Sequence, residues 1–169
     1  FEGEIRTARG DYEFAIKSFT EAHSLSSDLE TKLCLTGRIG DCYFSMAKKV
    51  ADDEEQKSEF SLLIHTAIES YSTIHKSPKT NPFIQEQALY KLAKCYETSG
   101  LNGERTAQNG DLAKALEHYR ELFFGYQEKV KQNQPTNSYY FCRTGYDLAR
   151  LQMMFSPPHI KSAINTYEI

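Results

Sequence analysis

Histidines, cysteines and paired acids are the side chains here with chemistry to offer, and their spacing decides whether they can deliver it. The five histidines stand at positions 23, 65, 75, 118 and 159. His65 and Glu69 would share one helix face, which makes two metal ligands where a closed site needs about four. A solvated ion pair is the simpler reading. His118 lies between Glu117 and Glu121, and it too reads as part of a charged helix face. The four cysteines, Cys34, Cys42, Cys95 and Cys142, form neither a CxxC pair nor a zinc-type cluster with histidine. Small core residues in a reducing compartment are the plain reading, with two disulfide bridges as the alternative. The run Asp52, Asp53, Glu54, Glu55 reads as the opening turn of a helix, where carboxylates meet the positive end of the macrodipole, in preference to an acidic binding patch. No GxSxG elbow, GxxxxGK[ST] loop, GxGxxG or HExxH occurs. The chain therefore reads as non-enzymatic, with no catalytic residue, metal or cofactor expected.

What must position any site is a set of helices. The 169 residues are 40% hydrophobic and 25% charged, ordinary material for one globular domain. No apolar run approaches the ~20 residues of a membrane-spanning helix, and FEGEIRTARGDY is too polar for a secretory signal. Any targeting segment is expected to have been removed or to lie outside this sequence. A net charge of −3 gives no reason to expect nucleic acid as a partner. The five prolines, at 78, 82, 135, 157 and 158, fall in connectors and leave long stretches free to be helical. Trp is absent, while eleven Tyr and ten Phe supply bulk for helix pairs to bury.

Residues 85–122 carry the organising pattern. QEQALYKLAKCYETSG sets Ala88, Leu92, Ala93 and Tyr96 at helical spacing and is predicted to stop at Gly100. A polar insertion, LNGERTAQN, follows. A second helix is then predicted to start at Gly110, with Ala115, Leu116, Tyr119 and Leu122 on its buried side. Neither helix hides its apolar face alone, so the two must pair.

This arrangement resembles the tetratricopeptide repeat: a small residue followed three later by Tyr, a Gly between helices, then Ala and an aromatic four residues on. The resemblance extends over the whole chain, and the repeats it implies are 1–28 (partial), 29–77 (with a long insertion), 83–131 (with the inter-helix insertion) and 138–169 (truncated). In the first, Gly10, Tyr12, Ala15, Ile16, Phe19 and Ala22 follow the pattern. In the second, Leu33, Ile39, Gly40, Tyr43 and Met46 mark one helix, and Phe60, Leu63, Ile64, Ala67, Ile68, Tyr71 and Ile74 a long partner. In the fourth, Leu148, Ala149 and Gln152 align with Leu92, Ala93 and Tyr96, and Ala163, Ile164 and Tyr167 begin another helix. Cys42 and Cys95 occupy the same position of successive first helices, where the family has Ala. The long second helices are similar to those of bacterial outer-membrane assembly lipoproteins and cell-division coordinators.

The resemblance implies an all-α, right-handed solenoid of antiparallel helix pairs, in which first helices line a concave groove that grips a peptide or a partner helix. Carrying the family's groove positions onto this sequence gives Asp41 and Phe44, then Tyr90, Lys94 and Glu97, then Arg143, Tyr146 and Arg150. The plain alternative is that these are the solvated or half-packed side of the helices. Asp41 stands where the family's chaperone-tail clamp wants Asn, so chaperone-tail binding is not expected. Lys94, Arg143 and Arg150 instead favour a locally acidic partner. The expected role is a protein-binding scaffold or adaptor. The alternatives are the recognition arm of a larger enzyme or regulatory protein, and self-assembly through open helical ends.

Overall fold

The computed structural model describes residues 2–102 and 105–154, together with Thr166. Among them are seven α-helices, one 3-10 turn and no strand. The helices are α1 (Glu2–Arg9), α2 (Tyr12–Leu25), α3 (Leu29–Val50), α4 (Lys57–His75), α5 (Pro82–Asn102), α6 (Arg105–Lys131) and α7 (Ser138–Met154). The chain is all-α, and no helix among the described residues is long and apolar enough to cross a membrane.

Local chemistry sets the helix ends. Asp28 caps α3 by accepting from the Thr31 amide at 2.7 Å, and the Thr31 hydroxyl, donating to the same oxygen at 2.7 Å, together with that amide holds its carboxyl below the usual range. Asn81 accepts from the Phe83 amide at 2.9 Å, with Pro82 at the first helical position, where its missing N–H costs nothing. Asn133, at φ 53°, turns the chain out of α6 while the Gln134 amide donates back to the Lys129 carbonyl at 2.8 Å. Asp52–Glu55 do not open the long helix as expected. Glu54–Gln56 form a separate 3-10 turn capped by Asp53, and α4 starts after it.

Each helix packs on its neighbours in the chain, and the alternate helices α3, α5 and α7 also touch one another in order. One core runs from α3 to α7, through Phe60, Tyr71, Tyr119, Tyr126, Leu148 and Leu151. A smaller cluster of Ala15, Phe19 and Cys42 joins α2 to α3. Ala115 is fully buried, and Tyr43 and Tyr96 pack half-buried on the main core. Ala22, which the repeat pattern groups with Ala15, Ile16 and Phe19, is instead exposed, while Ala15 and Phe19 are the residues that α2 buries.

The inter-helix region departs most from expectation. Gly100 does not end α5, which runs on to Asn102, and α6 begins at Arg105, not Gly110. Gly100 is needed for close approach: a Cβ there would lie 2.6 Å from Leu112 Cγ and 3.0 Å from the Leu112 amide nitrogen. The inserted residues thus lengthen both helices past their crossing. The expected helix at Ala163, Ile164 and Tyr167 and the residue His159 lie outside the described residues. Thr166 is buried, and its hydroxyl donates to Gln152 Oε1 at 3.3 Å.

Candidate functional site

The site is built from carboxylates placed where helix faces should be apolar. On α7 the buried positions are Thr144, Gly145, Asp147, Leu148, Ala149, Leu151 and Gln152, so Asp147 sits inside the stripe that α7 turns toward α5 and α6. Glu97 does the same on α5, among Ala93, Cys95 and Gly100. A carboxylate so enclosed requires donors, since an unpaired charge there would cost several kcal/mol, roughly. The structure provides them from neighbouring helices.

Asp147 is 0% exposed and accepts from the Tyr90 hydroxyl at 2.8 Å, with Arg143 Nε 3.3 Å away. Its other oxygen has no hydrogen bond, but Lys94 Nζ and Arg150 Nη2 each approach within 3.6 Å. Glu97, 2% exposed, accepts from the Tyr119 hydroxyl at 2.8 Å and Lys94 Nζ at 2.9 Å, and also pairs with Arg150. Burial pushes the Tyr90 and Tyr119 phenols well above their usual range, with the Asp147 carboxylate adding to both shifts. Burial lowers Lys94, and the pull of Asp147 opposes it.

A second constellation repeats the plan one hairpin earlier. Asp41 on α3 accepts from the Tyr71 hydroxyl of α4 at 2.6 Å and from Lys91 Nζ of α5 at 2.6 Å. In both cases a carboxylate on one helix is held by the tyrosine of its hairpin partner and paired with a cation from the next alternate helix: Asp41, Tyr71, Lys91, then Glu97, Tyr119, Arg150. Glu4 and Arg38, 3.0 Å apart, make the same step from α1 to α3 without a tyrosine. These pairs tie together the helices that would line a groove.

No protein-family model matches the chain, and neither does any curated protein or solved structure. The candidate site therefore rests on its geometry.

Of the groove candidates, Tyr90, Lys94, Glu97, Arg143 and Arg150 come together in the α5–α7 cluster. Tyr146 lies beside it, half exposed, with the Arg143 guanidinium 5.7 Å from its ring centre. Asp41 belongs to the α3–α5 constellation. Phe44 is half-buried against the core with Lys48 Nζ 5.0 Å from its ring centre, and so stands apart from both. Glu97 and Tyr90 face inward as internal partners, whereas Arg143 and Tyr146 present surface to water.

Sequence reasoning missed Asp147, Lys91 and the hydrogen-bonding roles of Tyr71 and Tyr119. One signal was available for Asp147: a charge at the centre of an apolar helical stripe that needs a partner. His65 and Glu69 are both exposed and 3.6 Å apart. His118 does not lie on an open charged face: it is half-buried between the rings of Tyr96 and His75, and burial lowers its pKa against the opposing pull of Glu121 and Glu117. All four cysteines are free thiols, Cys34 and Cys142 exposed, Cys42 and Cys95 buried. No group of three metal-ligating side chains converges among the described residues.

Proposed function

We propose that this chain is a protein-binding scaffold, a right-handed solenoid of tetratricopeptide kind whose helices α3, α5 and α7 form a wall that binds an extended acidic segment of another protein. The observation that carries this reading is the asymmetry of the α5–α7 cluster. Its two carboxylates are sealed at 2% and 0% exposure, while the Lys94, Arg150 and Arg143 side chains keep 24%, 34% and 48% of their surface in water. Three cations against two carboxylates leave one positive charge over, and the sign turned outward is positive on a chain whose net charge is −3. Buried counter-ions and phenols hold the guanidinium groups in place before a ligand arrives, which lowers the entropy lost on binding. Guanidinium forks suit carboxylates geometrically, and exposed Tyr146 adds a flat surface of the type enriched at interface hot spots.

Fluorescence anisotropy with a labelled oligoglutamate peptide tests the reading, beside an oligolysine peptide of equal length. The acidic peptide should bind more tightly, and binding should weaken as salt screens the exposed cations. Arg143→Ala, which leaves Asp147 its Tyr90 donor, should reduce affinity about tenfold, in line with losing a charged hydrogen bond of ~1.5 kcal/mol. Equal binding of the acidic and basic peptides, or none by either, overturns it.

A second reading, self-association, draws on one observation: Tyr139, Tyr146 and Met153 recur every seventh residue on α7 at 69%, 50% and 57% exposure. Light scattering across a concentration series separates the two, because a monomer throughout removes the second.

A further inference from the structure

Between α3 and α5, one turn along α5 from the cationic cluster, lies a recess that the charge-based reading leaves unused. Its floor is Leu33, Ile74, Ile84 and Ala88, and its volume is about 200 Å³. Leu33, Ile74 and Ala88 are buried at 5%, 3% and 3% exposure, and the buried Tyr71 ring lies beside them, so the bottom is closed and largely aliphatic. Gly37 keeps it open: even a Cβ there would lie 3.3 Å from Ile74 Cδ1, and any longer side chain would occupy the space. Exposed Cys34 and Arg38 stand on the rim with Lys91. The rim carboxylate, Asp41, is already held by Tyr71 and Lys91.

We propose that this recess receives an aliphatic side chain of the same acidic segment, which makes the ligand an acidic stretch interrupted by a residue of leucine type. The inference rests on the groove reading and narrows it. Size permits it, since a dry apolar cavity of ~150 Å³ already accepts benzene. Position favours it as well. Lys91 and Lys94 lie on one side of α5, about 4.5 Å apart along its axis. An extended peptide advances ~3.3 Å per residue, so an acidic side chain one or two residues beyond the buried one reaches Lys94 and the arginines of α7. Charge complementarity thus sets the flanking residues, and the closed aliphatic floor sets the central one.

Two labelled octapeptides, EEDELDEE and the same sequence with serine for leucine, test this by anisotropy beside a lysine-substituted control. The leucine peptide should bind the wild-type chain at least about tenfold more tightly than the serine peptide, the expected return on burying one aliphatic side chain. Gly37→Leu should erase that difference and leave serine-peptide binding unchanged. In a Cys142→Ser background, alkylation of Cys34 with N-ethylmaleimide should do the same without touching the backbone, and the leucine peptide should slow that alkylation. If both acidic peptides bind equally to the wild type yet outbind the lysine control, or if the difference survives both blocks, the recess assignment falls and the groove reading stands. If neither acidic peptide outbinds the lysine control, both fall together.

Discussion

Replacing Glu97 by Ala removes the carboxylate on which three donors from three helices converge. The Tyr119 hydroxyl, on a side chain 0% exposed, loses its 2.8 Å acceptor. Stranding a buried hydroxyl costs ~1–3 kcal/mol. Lys94 and Arg150 lose a counter-ion but keep Asp147 at 3.6 Å, and both side chains reach water, which discounts their share. The sum is about 3 kcal/mol, the lower edge of what breaking a buried ion pair costs. For a chain of this size that corresponds to a fall in melting temperature of roughly 6–12 °C. Urea unfolding followed by circular dichroism should show the midpoint falling with the slope unchanged. Tyr119→Phe should cost only about 1 kcal/mol, because Glu97 retains both cations. In the double variant the two losses should overlap by about 1 kcal/mol, since both single changes remove the Tyr119–Glu97 hydrogen bond and the double variant strands no hydroxyl. A Glu97→Ala variant destabilised by less than about 1 kcal/mol, or strictly additive losses, would refute a buried carboxylate at the centre of this network.

Two glycines should respond in opposite directions to alanine. Gly100→Ala brings a Cβ within 3.0 Å of the Leu112 backbone nitrogen, so overpacking of ~1–3 kcal/mol should outweigh the ~1 kcal/mol of helix propensity gained, whereas Gly125, exposed on α6 with nothing within 4 Å, should stabilise the chain by about 0.5–1 kcal/mol when replaced; thermal melts check both. Burial holds the Tyr71 and Tyr119 phenols protonated far above their usual value, with Asp41 and Asp147 adding to the effect. Above the unfolded value of about 10 the folded state therefore binds more protons than the unfolded one. Stability should be complete below that pH and fall above it by ~1.4 kcal/mol per pH unit for each phenol, with tyrosinate absorbance from these two rings appearing only on unfolding. An aromatic disulfide reagent should titrate Cys34 and Cys142 in the native chain and reach Cys42 and Cys95, whose thiols burial pushes up, only after denaturation.

Particular residues show how far the sequence could be read. The period of Leu92, Ala93 and Tyr96, the Asp28 cap and the prolines between segments are local signals, because helix formation, capping and chain reversal depend on residues within one or two turns. They suffice for an all-α chain, and the repeat start at residue 29 coincides with the first residue of α3. The same signals misplace the α5–α6 turn, because a glycine selected for contact with Leu112 looks in sequence like a glycine selected to end a helix.

The roles within the site were decided by tertiary structure alone. Tyr90 and Asp147 are separated by 57 residues and Lys91 and Asp41 by 50. Nothing within a helical turn of Glu97 reveals that a phenol and a guanidinium from two other helices will enclose it. A charge is tolerated in a core only when its partners arrive with it, and that arrival depends on which helices cross, at what register and how closely. The amino-acid sequence by itself determines the helices and the faces they must hide. Their crossing converts conspicuous polar residues such as Glu97 into internal counter-ions and leaves Arg143 and Arg150 turned toward water.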